Sequence, residues 1–596
     1  MGYVCLHVCL GVGLWGQATV TVPGTSVIQL AGQPGGTVSR NGNRSAPANS
    51  PVLVPVAVVA GQAYSVTASG TVDTGGPDGR NTCNGSLSAE FSVARIDTRC
   101  AALVGVFLSD TTRAQPPELD FRGDGRELPV LRPLLQQPFL VGGGVNSQGF
   151  RKAFVAPSGA TRLYLGAVGF ANSQGSFQVT VTPSALPEEP TNPVRVSGIS
   201  VIQLAGQAAG ASSANNGRSA GIYSPAQVTM PLVAGQVLRI VANGSVDGGG
   251  PDGRTTCNDS LIAEYSISRI DGRCGALVGV FLADTTRTQP PGLDFRGALR
   301  NTVRLEPLIQ QPFLVGSGFT DAGEMKQFVV PQGATRLFLS ALAFDTSVGF
   351  YVVTVSPESA TTPSISSNGV VRAAGFGTGA LSAGSIASLF GSNFSGSTVS
   401  ASSVPLPRVL EQTRVYFGLR SAPLYFTSAG QVNAQIPWEF SQDPSVQAVV
   451  VRNGAASLPV PVALGAASPG IFLVRENAGV VVNASTGSLV DNTSGVRWGD
   501  AIVIYASGLG PVNASVQSGV PSSSTELEPT RNIVDVLLTN GSQTVMAQTL
   551  FAGSAPGFIG VNQVNALIPR DVAAGVARLK LRVAGVESNE VSVLVQ

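Results

Sequence analysis

The nine residues VDTGGPDGR at 72–80 return as VDGGGPDGR at 246–254, and this near-identity decides how the chain is read. The displacement that carries Val72 onto Val246 also carries SVIQLAG at 26–32 onto 200–206, Cys83 onto Cys257, Cys100 onto Cys274 and Pro157 onto Pro331. Solenoid units recur every ~20–50 residues, so a repeat this long is a whole module duplicated. Within each copy the apolar residues alternate. Tyr64, Val66 and Ala68 interleave with Ser65, Thr67 and Ser69, and Phe177, Val179 and Val181 with Gln178 and Thr180. That period of two is the mark of strands with one buried face, which pair into antiparallel sheets stacked as a sandwich or jelly roll.

Composition supports this reading along the whole chain. At 596 residues the length corresponds to about four domains of roughly 150 residues each. Charged residues make up only 12% of it, against about 25% in an average soluble protein. Glycine is abundant and mean hydropathy is +0.25, a balance that favours many short strands joined by tight turns. A formal net charge of +1 gives no electrostatic handle on nucleic acid or acidic lipid, and neither is expected as a partner. The expected fold class is all-β: four β-sandwich domains in series, two jelly-roll-like followed by two Ig-like. Their expected extents are 19–186, 197–359, 363–465 and 466–596. PSALPEEP at 183–190 and SPE at 356–358 read as linkers, because proline does not pair inside a central strand.

The N-terminus, MGYVCLHVCLGVGLWGQA at 1–18, is an apolar run ending in the small-residue pattern Gly16-Gln17-Ala18. It reads as a secretory signal peptide, although no Lys or Arg precedes the run. The run is shorter than the ~20 residues a transmembrane helix needs, and no later segment reads as a span. Cys5 and Cys9 would leave with such a leader. Cys83 with Cys100, and Cys257 with Cys274, then form one pair per module at the same spacing of 17. An even count distributed in this way reads as one disulfide in each module, in an oxidising compartment. A metal site at these cysteines lacks partners, since the only histidine is His7, inside the expected leader. The expected location is therefore secreted, extracellular or on the cell surface.

The runs CGALVGVF at 274–281, QPFLVGSG at 311–318 and PQGATRLFL at 331–339, with ALVGV at 102–106, PFLVG at 138–142 and RLYL at 162–165 in the first copy, resemble the PA-I galactose-binding lectin family. The resemblance implies a galactose-binding-like β-sandwich whose sugar site is a calcium ion held by Asp and Asn side chains in the loop before the last strand. The corresponding loops are FANSQGSF at 170–177 and FDTSVGF at 344–350, which makes Asn172 and Asp345 the implied ligand-binding residues. Calcium takes six to eight oxygens, several of them anionic. These loops are short and offer few, so the resemblance in fold outruns the resemblance in the site.

A second group of polar residues is shared by both copies: Asp73, Asp78 and Asn84 in the first, Asp247, Asp252 and Asn258 in the second, where Asp259 adds a further carboxylate. Two readings stand. Oxygen ligands at short spacing in a glycine-rich loop suit a structural calcium ion, and Asp and Asn are also ordinary turn formers. Asp110 with Arg113 and Asp120 with Arg122 recur as Asp284 with Arg287 and Asp294 with Arg296, and read as ion pairs pinning long loops or as the polar lining of a sugar groove.

From about Pro363 the texture changes. GSIASLFGSNF at 384–394 is echoed by GDAIVIYASGL at 499–509, and QVNAQIP at 431–437 by QVNALIP at 563–569. With SPGIF at 468–472 and YASGLGPV at 505–512, this half resembles the uncharacterised Ig/TIG-like C-terminal module of acidobacterial secreted proteins such as those of Solibacter. That resemblance implies an immunoglobulin-like fold and extracellular placement. Trp438 and Trp498 read as core residues or as sugar-stacking platforms.

With His7 lost in the leader, Ser-His-Asp and Cys-His mechanisms are closed to the chain, and no carboxylate pair or phosphate loop stands out, so no enzymatic activity is expected. The expected function is non-catalytic binding of an extracellular glycan through the paired modules. The alternative is a surface scaffold or adhesin that meets a cell-surface protein and keeps only vestigial sugar sites.

Overall fold

The computed structural model describes residues 17–596 apart from 42–43, 81–82, 112–113, 123–125, 127, 129, 147–150, 185–191, 215–217, 286–287, 343–346, 360 and 514–515. Residues 1–16, most of the expected leader, lie outside this set, and the first strand begins at Ala18. Among the described residues the structure is all-β, its only helical segments being 3-10 turns of three or four residues. None of its helices is long and apolar enough to cross a membrane.

Each copy of the repeat is a two-sheet sandwich. In the first, strands Val130–Leu131, Ala153–Val155, Ala63–Val72, Gly175–Ser184 and Ala18–Pro23 form one sheet, and Val52–Leu53, Arg162–Ala167, Leu103–Leu108 and Phe139–Leu140 the other. The second copy repeats both sheets strand for strand. The alternation works as read: Phe177, Val179 and Val181 are fully buried while Gln178 faces solvent. Between the sheets Phe107, Phe139 and Phe154 stack with centroids 5.4 and 5.0 Å apart, as do Phe281, Phe313 and Phe328 at 5.3 and 5.2 Å. An outer three-stranded sheet, Asn84–Leu87, Ile96–Arg99 and Leu119–Asp120, carries Cys83 and Cys100 at its edge.

The first linker begins later than the sequence indicated. Strand Gly175–Ser184 runs through Pro183, which pairs with Tyr64. On its other side the neighbouring strand ends at the Ala18–Val181 pair, so the nitrogen of Pro183 faces no partner strand and nothing is lost by its having no N–H. Pro357 closes strand Gly349–Pro357 in the same way, opposite Leu238.

The two modules are docked along their apolar surfaces. Ile199, Val201, Leu204, Ala220, Ile222 and Tyr223 of the second belong to one continuous buried cluster with the core of the first, and Gly210 lies against Leu134. The siblings act as controls for each other. Where the second module presents Ile199, Ile222 and Tyr223, the first has Thr25, Ala48 and Asn49 at the matching positions. Leu308, the counterpart of Leu134, is 52% exposed. Returning the three docking residues to their sibling identities (Ile199→Thr, Ile222→Ala, Tyr223→Asn) is expected to remove about 1.5–3 kcal/mol of burial for each. Small-angle scattering of the full chain should then show a larger radius of gyration with an unchanged β-sheet circular dichroism spectrum. An unchanged radius would mean that the contact does not hold the pair.

Beside a small buried cluster of Tyr416, Val449, Val451 and Ala456, the C-terminal half contains two further large buried clusters. One includes Leu389, Val415, Phe417, Leu424, Val432 and Val450, and the other Ile502, Ile504, Val536, Leu538, Val564, Leu579 and Val593. The echoed sequences occupy equivalent places: strand Ile386–Ser392 pairs with Gln431–Gln435, and Ala501–Ser507 pairs with Asn562–Leu567. These two parts interlock through a loop at 517–520. Leu406 N donates to Gly519 O at 2.8 Å, Gly519 N to Gln435 Oε1 at 2.7 Å, and Trp438 N to Ser518 Oγ at 2.9 Å. Ser518 Oγ in turn donates to Glu439 Oε2 at 2.8 Å. Trp438 lies across Gly384, which is a packing role. Trp498 is 45% exposed, with its Nε1 donating to Val572 O.

Candidate functional site

In each module the Asp of the duplicated motif reaches the loop before the last strand. Strand Ala63–Val72 ends in a two-residue turn, Asp73 and Thr74, closed by reciprocal hydrogen bonds between Val72 and Gly75. Both turn residues have left-handed backbone, φ 46° and 68°, the geometry that matches the twist of a hairpin and favours Asp, Asn and Gly. This geometry aims the Asp73 carboxylate at the loop before the last strand. Its Oδ2 accepts from Ser173 Oγ at 2.5 Å and its Oδ1 from Gln174 N at 2.8 Å. Ser173 Oγ also accepts from Phe170 N at 2.6 Å. The second module repeats the latch: Asp247 accepts from Ser347 Oγ at 2.7 Å and from Val348 N at 2.8 Å.

Two groups that looked separate in the sequence are therefore joined. Asp73 fixes the loop that holds Asn172, and it leaves Asn172, Gln174 and Phe170 facing solvent, the phenylalanine 58% exposed. Asp345, the residue implied for the second module, lies outside the described residues.

Asp78 serves a different loop. Its Oδ1 accepts from Gly143 N at 3.1 Å, and Asp252 Oδ1 accepts from Ser317 N at 3.0 Å. Behind these loops lie Lys152 and Lys326, both buried. Lys326 Nζ donates to Val315 O at 3.3 Å; burial pulls its pKa below the usual lysine value, and the charge of Asp252 partly offsets this. Neither lysine belongs to a pattern in the sequence, and each lies just before a strand. Asn84 and Asn258 sit on the outer sheets, opposite Arg99 and Arg273, and Asp259 accepts from Ser260 N.

Asp73, Asp78 and Asn84 thus face three different neighbours. A calcium ion needs several oxygens aimed at one point. Among the described residues no three acidic, histidine or cysteine side chains gather in that way, and the Asp73 and Asp78 carboxylates are turned to hydrogen-bond donors of the protein. The paired cysteines do meet: Cys83 bonds Cys100 and Cys257 bonds Cys274, which suits an oxidising, extracellular setting.

In each module one of the two Asp–Arg pairs is formed. Arg122 bonds Asp120 at 2.6 Å and reaches Asp97 at 3.5 Å; Arg296 bonds Asp294 at 2.6 Å and approaches Asp271 at 3.9 Å. The side chain and backbone N–H of Arg296 hold the Asp294 carboxyl down to about 2. Asp110 and Asp284 accept from Thr161 and Thr335 at 3.1 and 2.9 Å, while Arg113 and Arg287 lie outside the described residues.

No family model matches this chain. No curated protein matches it either. Among solved structures, the C-terminal domain of the Streptococcus pyogenes antigen I/II-family protein AspA is similar at 15% identity over 28% of this chain and 58% of that one, with a TM-score of 0.11. So loose a superposition carries no argument about this molecule.

The latch has a pH signature. Its hydrogen bonds from Ser173 and Gln174 hold the Asp73 carboxyl below the usual carboxylate pKa. A depressed carboxyl contributes stability that is present above its unfolded pKa of ~3.9 and is lost as pH falls through the folded value. The protection factor of the Gln174 amide, its exchange set against the intrinsic rate at the same pH, is expected to stay constant from neutral pH down to about 4 and then to drop, an extra acceleration beyond intrinsic chemistry. Asp73→Asn should remove that extra acceleration, and a variant that keeps it would place the acid-sensitive group elsewhere.

Proposed function

We propose that the chain is a non-catalytic binding protein of the cell exterior that takes glycans on the latched loop edges of its two N-terminal modules. The observation that carries this reading is the duplicated latch. In each module a left-handed Asp holds the loop before the last strand, and in the first it presents an aromatic ring beside two amide side chains, Phe170 with Asn172 and Gln174. A flat apolar face flanked by donors and acceptors suits a sugar ring, and fixing the loop in advance reduces the ordering cost of binding. Two such edges on one docked pair would add through effective concentration even if each were weak. The resemblance of these modules to the PA-I galactose-binding lectin family supports the same ligand class, and the low net charge leaves hydrogen bonding and stacking to provide recognition.

A second reading has an observation of its own. Each Asp latch spends its oxygens on its own loop, and the C-terminal parts interlock through the loop at 517–520, as would suit a surface scaffold or adhesin that meets a protein.

The test is a glycan array with the purified full chain, run with calcium and again with EDTA. Binding in both conditions supports sites that work without a metal. Binding lost in EDTA would bring calcium into the Asn172 and Asp345 loops. Silence in both conditions would reject glycan recognition and leave the scaffold.

A further inference from the structure

Each module carries a second feature that the edge just described does not use. Glu90 and Val93 exchange both backbone hydrogen bonds around Phe91 and Ser92, and Glu264 and Ile267 do so around Tyr265 and Ser266. All four central residues are left-handed, with φ 50° and 64° in the first turn and 50° and 63° in the second. Hairpin turns of this geometry favour Asn and Gly, and a bulky residue there is an outlier. Both copies nevertheless place an aromatic ring at the first position. Neither ring is interred to compensate: Phe91 is 40% and Tyr265 38% exposed.

The turns are bolted to the neighbouring loop. Arg40 N donates to Glu90 Oε1 at 2.8 Å, and Ser88 and Asn41 exchange two hydrogen bonds of 2.9 and 3.1 Å. In the second module Ala214 N and Ser213 Oγ donate to the Glu264 carboxylate at 2.9 and 2.7 Å, and Tyr265 OH donates to Ser212 O at 2.5 Å. In each module the turn is tied by hydrogen bonds to the neighbouring loop while its ring stays partly exposed.

We infer that Phe91 and Tyr265 are stacking platforms, each taking the C–H face of one pyranose ring of an extracellular glycan, at a site distinct from the Asp73 and Asp247 latches. Strain that persists in a turn without a core to fill points to function. The occupant follows from size. A protein partner needs roughly 800 Å² of surface on each side, whereas one exposed ring beside the hydrogen-bonded polar groups of its neighbouring loop matches the footprint of a single sugar. This rests on the glycan reading above, and the experiment separates the two.

The full-length Phe91→Asn, Tyr265→Asn double variant and the Asn172→Ala variant are compared with wild type on glycans that the wild-type array identifies, and Phe91→Asn alone is also melted. The expected result is at least a tenfold loss of binding in the double variant, a smaller loss in Asn172→Ala, and no fall in Tm for Phe91→Asn, because asparagine accepts the left-handed turn. Undiminished binding in the double variant overturns the platforms while glycan recognition stands. A lowered Tm shows that the ring is there for packing and also overturns them. A wild-type array without signal removes the glycan reading and the platforms together.

Discussion

Replacing Gly144 with alanine is expected to lower the stability of the first module by about 3–5 kcal/mol, at the far end of what single substitutions do. A Cβ on Gly144 would lie 1.6 Å from Val66 O, a backbone carbonyl in the central strand Ala63–Val72, and neither strand nor loop has a flexible end with which to yield. The residue's φ of +85° adds the ordinary strain of the left-handed region. Its counterpart Gly318 meets Ile240 O at 2.0 Å with φ +94°, so Gly318→Ala should reproduce the loss in the second module. Gly36 separates the two contributions. Its φ is +90° but a Cβ there meets nothing within 4 Å, so Gly36→Ala should cost only about 1 kcal/mol. Denaturant unfolding of the three full-length variants is the measurement, and comparable losses at Gly36 and Gly144 would show that close approach to the strand is not the cause. Because Asp78 bonds Gly143 N, the damaged loop should also release that carboxylate.

Removing a disulfide is the other large effect. In Cys257→Ser, Cys274→Ser the open segment spans 17 residues, and the loop-closure model gives about 3 kcal/mol of lost stability. The cross-link lies beside the duplicated loop. Arg254 N donates to Cys274 O at 2.9 Å and Cys274 N to Cys257 O at 3.2 Å, so the bond ties the duplicated VDGGGPDGR loop to the outer sheet. The sibling pair Cys83 and Cys100 closes the same length of chain and should cost the first module a similar amount. Mild reduction of the wild-type protein should therefore lower two unfolding transitions and leave that of the C-terminal half, which has no cysteine, where it was. A shift of all transitions by the same amount would show that the chain unfolds as one cooperative unit.

Much of this molecule was legible in the sequence because its signals are local or repeated. The alternation at 64–69 and 177–181 produced the strands it indicated, since a period of two leaves a strand only one face to bury. The spacing of the cysteines and their duplication named both disulfides. The echo between 384–394 and 499–509 marked strands that pair in the same way in each part. Proline misled at Pro183, where what mattered was which side of the strand had a neighbour, and a sequence does not carry sheet order.

The candidate sites were legible only as a list. Asp73, Asp78 and Asn84 lie within twelve positions of one another in the chain and read as one cluster. Folding turned them apart because each lies at a different phase of turn and strand: Asp73 toward Ser173, Asp78 toward Gly143, Asn84 on an outer strand. Conversely, Asp73 and Gln174 stand 101 positions apart and are hydrogen-bonded. Phe91 and Tyr265 were visible as residues, but their strain was not, because a left-handed φ at an aromatic residue appears only once the turn is closed.

That this protein is all-β, that its first half is one module made twice and that each copy can close a disulfide all follow from periodicity, repetition and covalent chemistry. Which polar residues meet, how the second module lodges its Ile199, Ile222 and Tyr223 on the first, and which aromatic rings stay outside emerge in the folded chain, because they depend on sheet order and on the direction each side chain takes once distant strands are side by side.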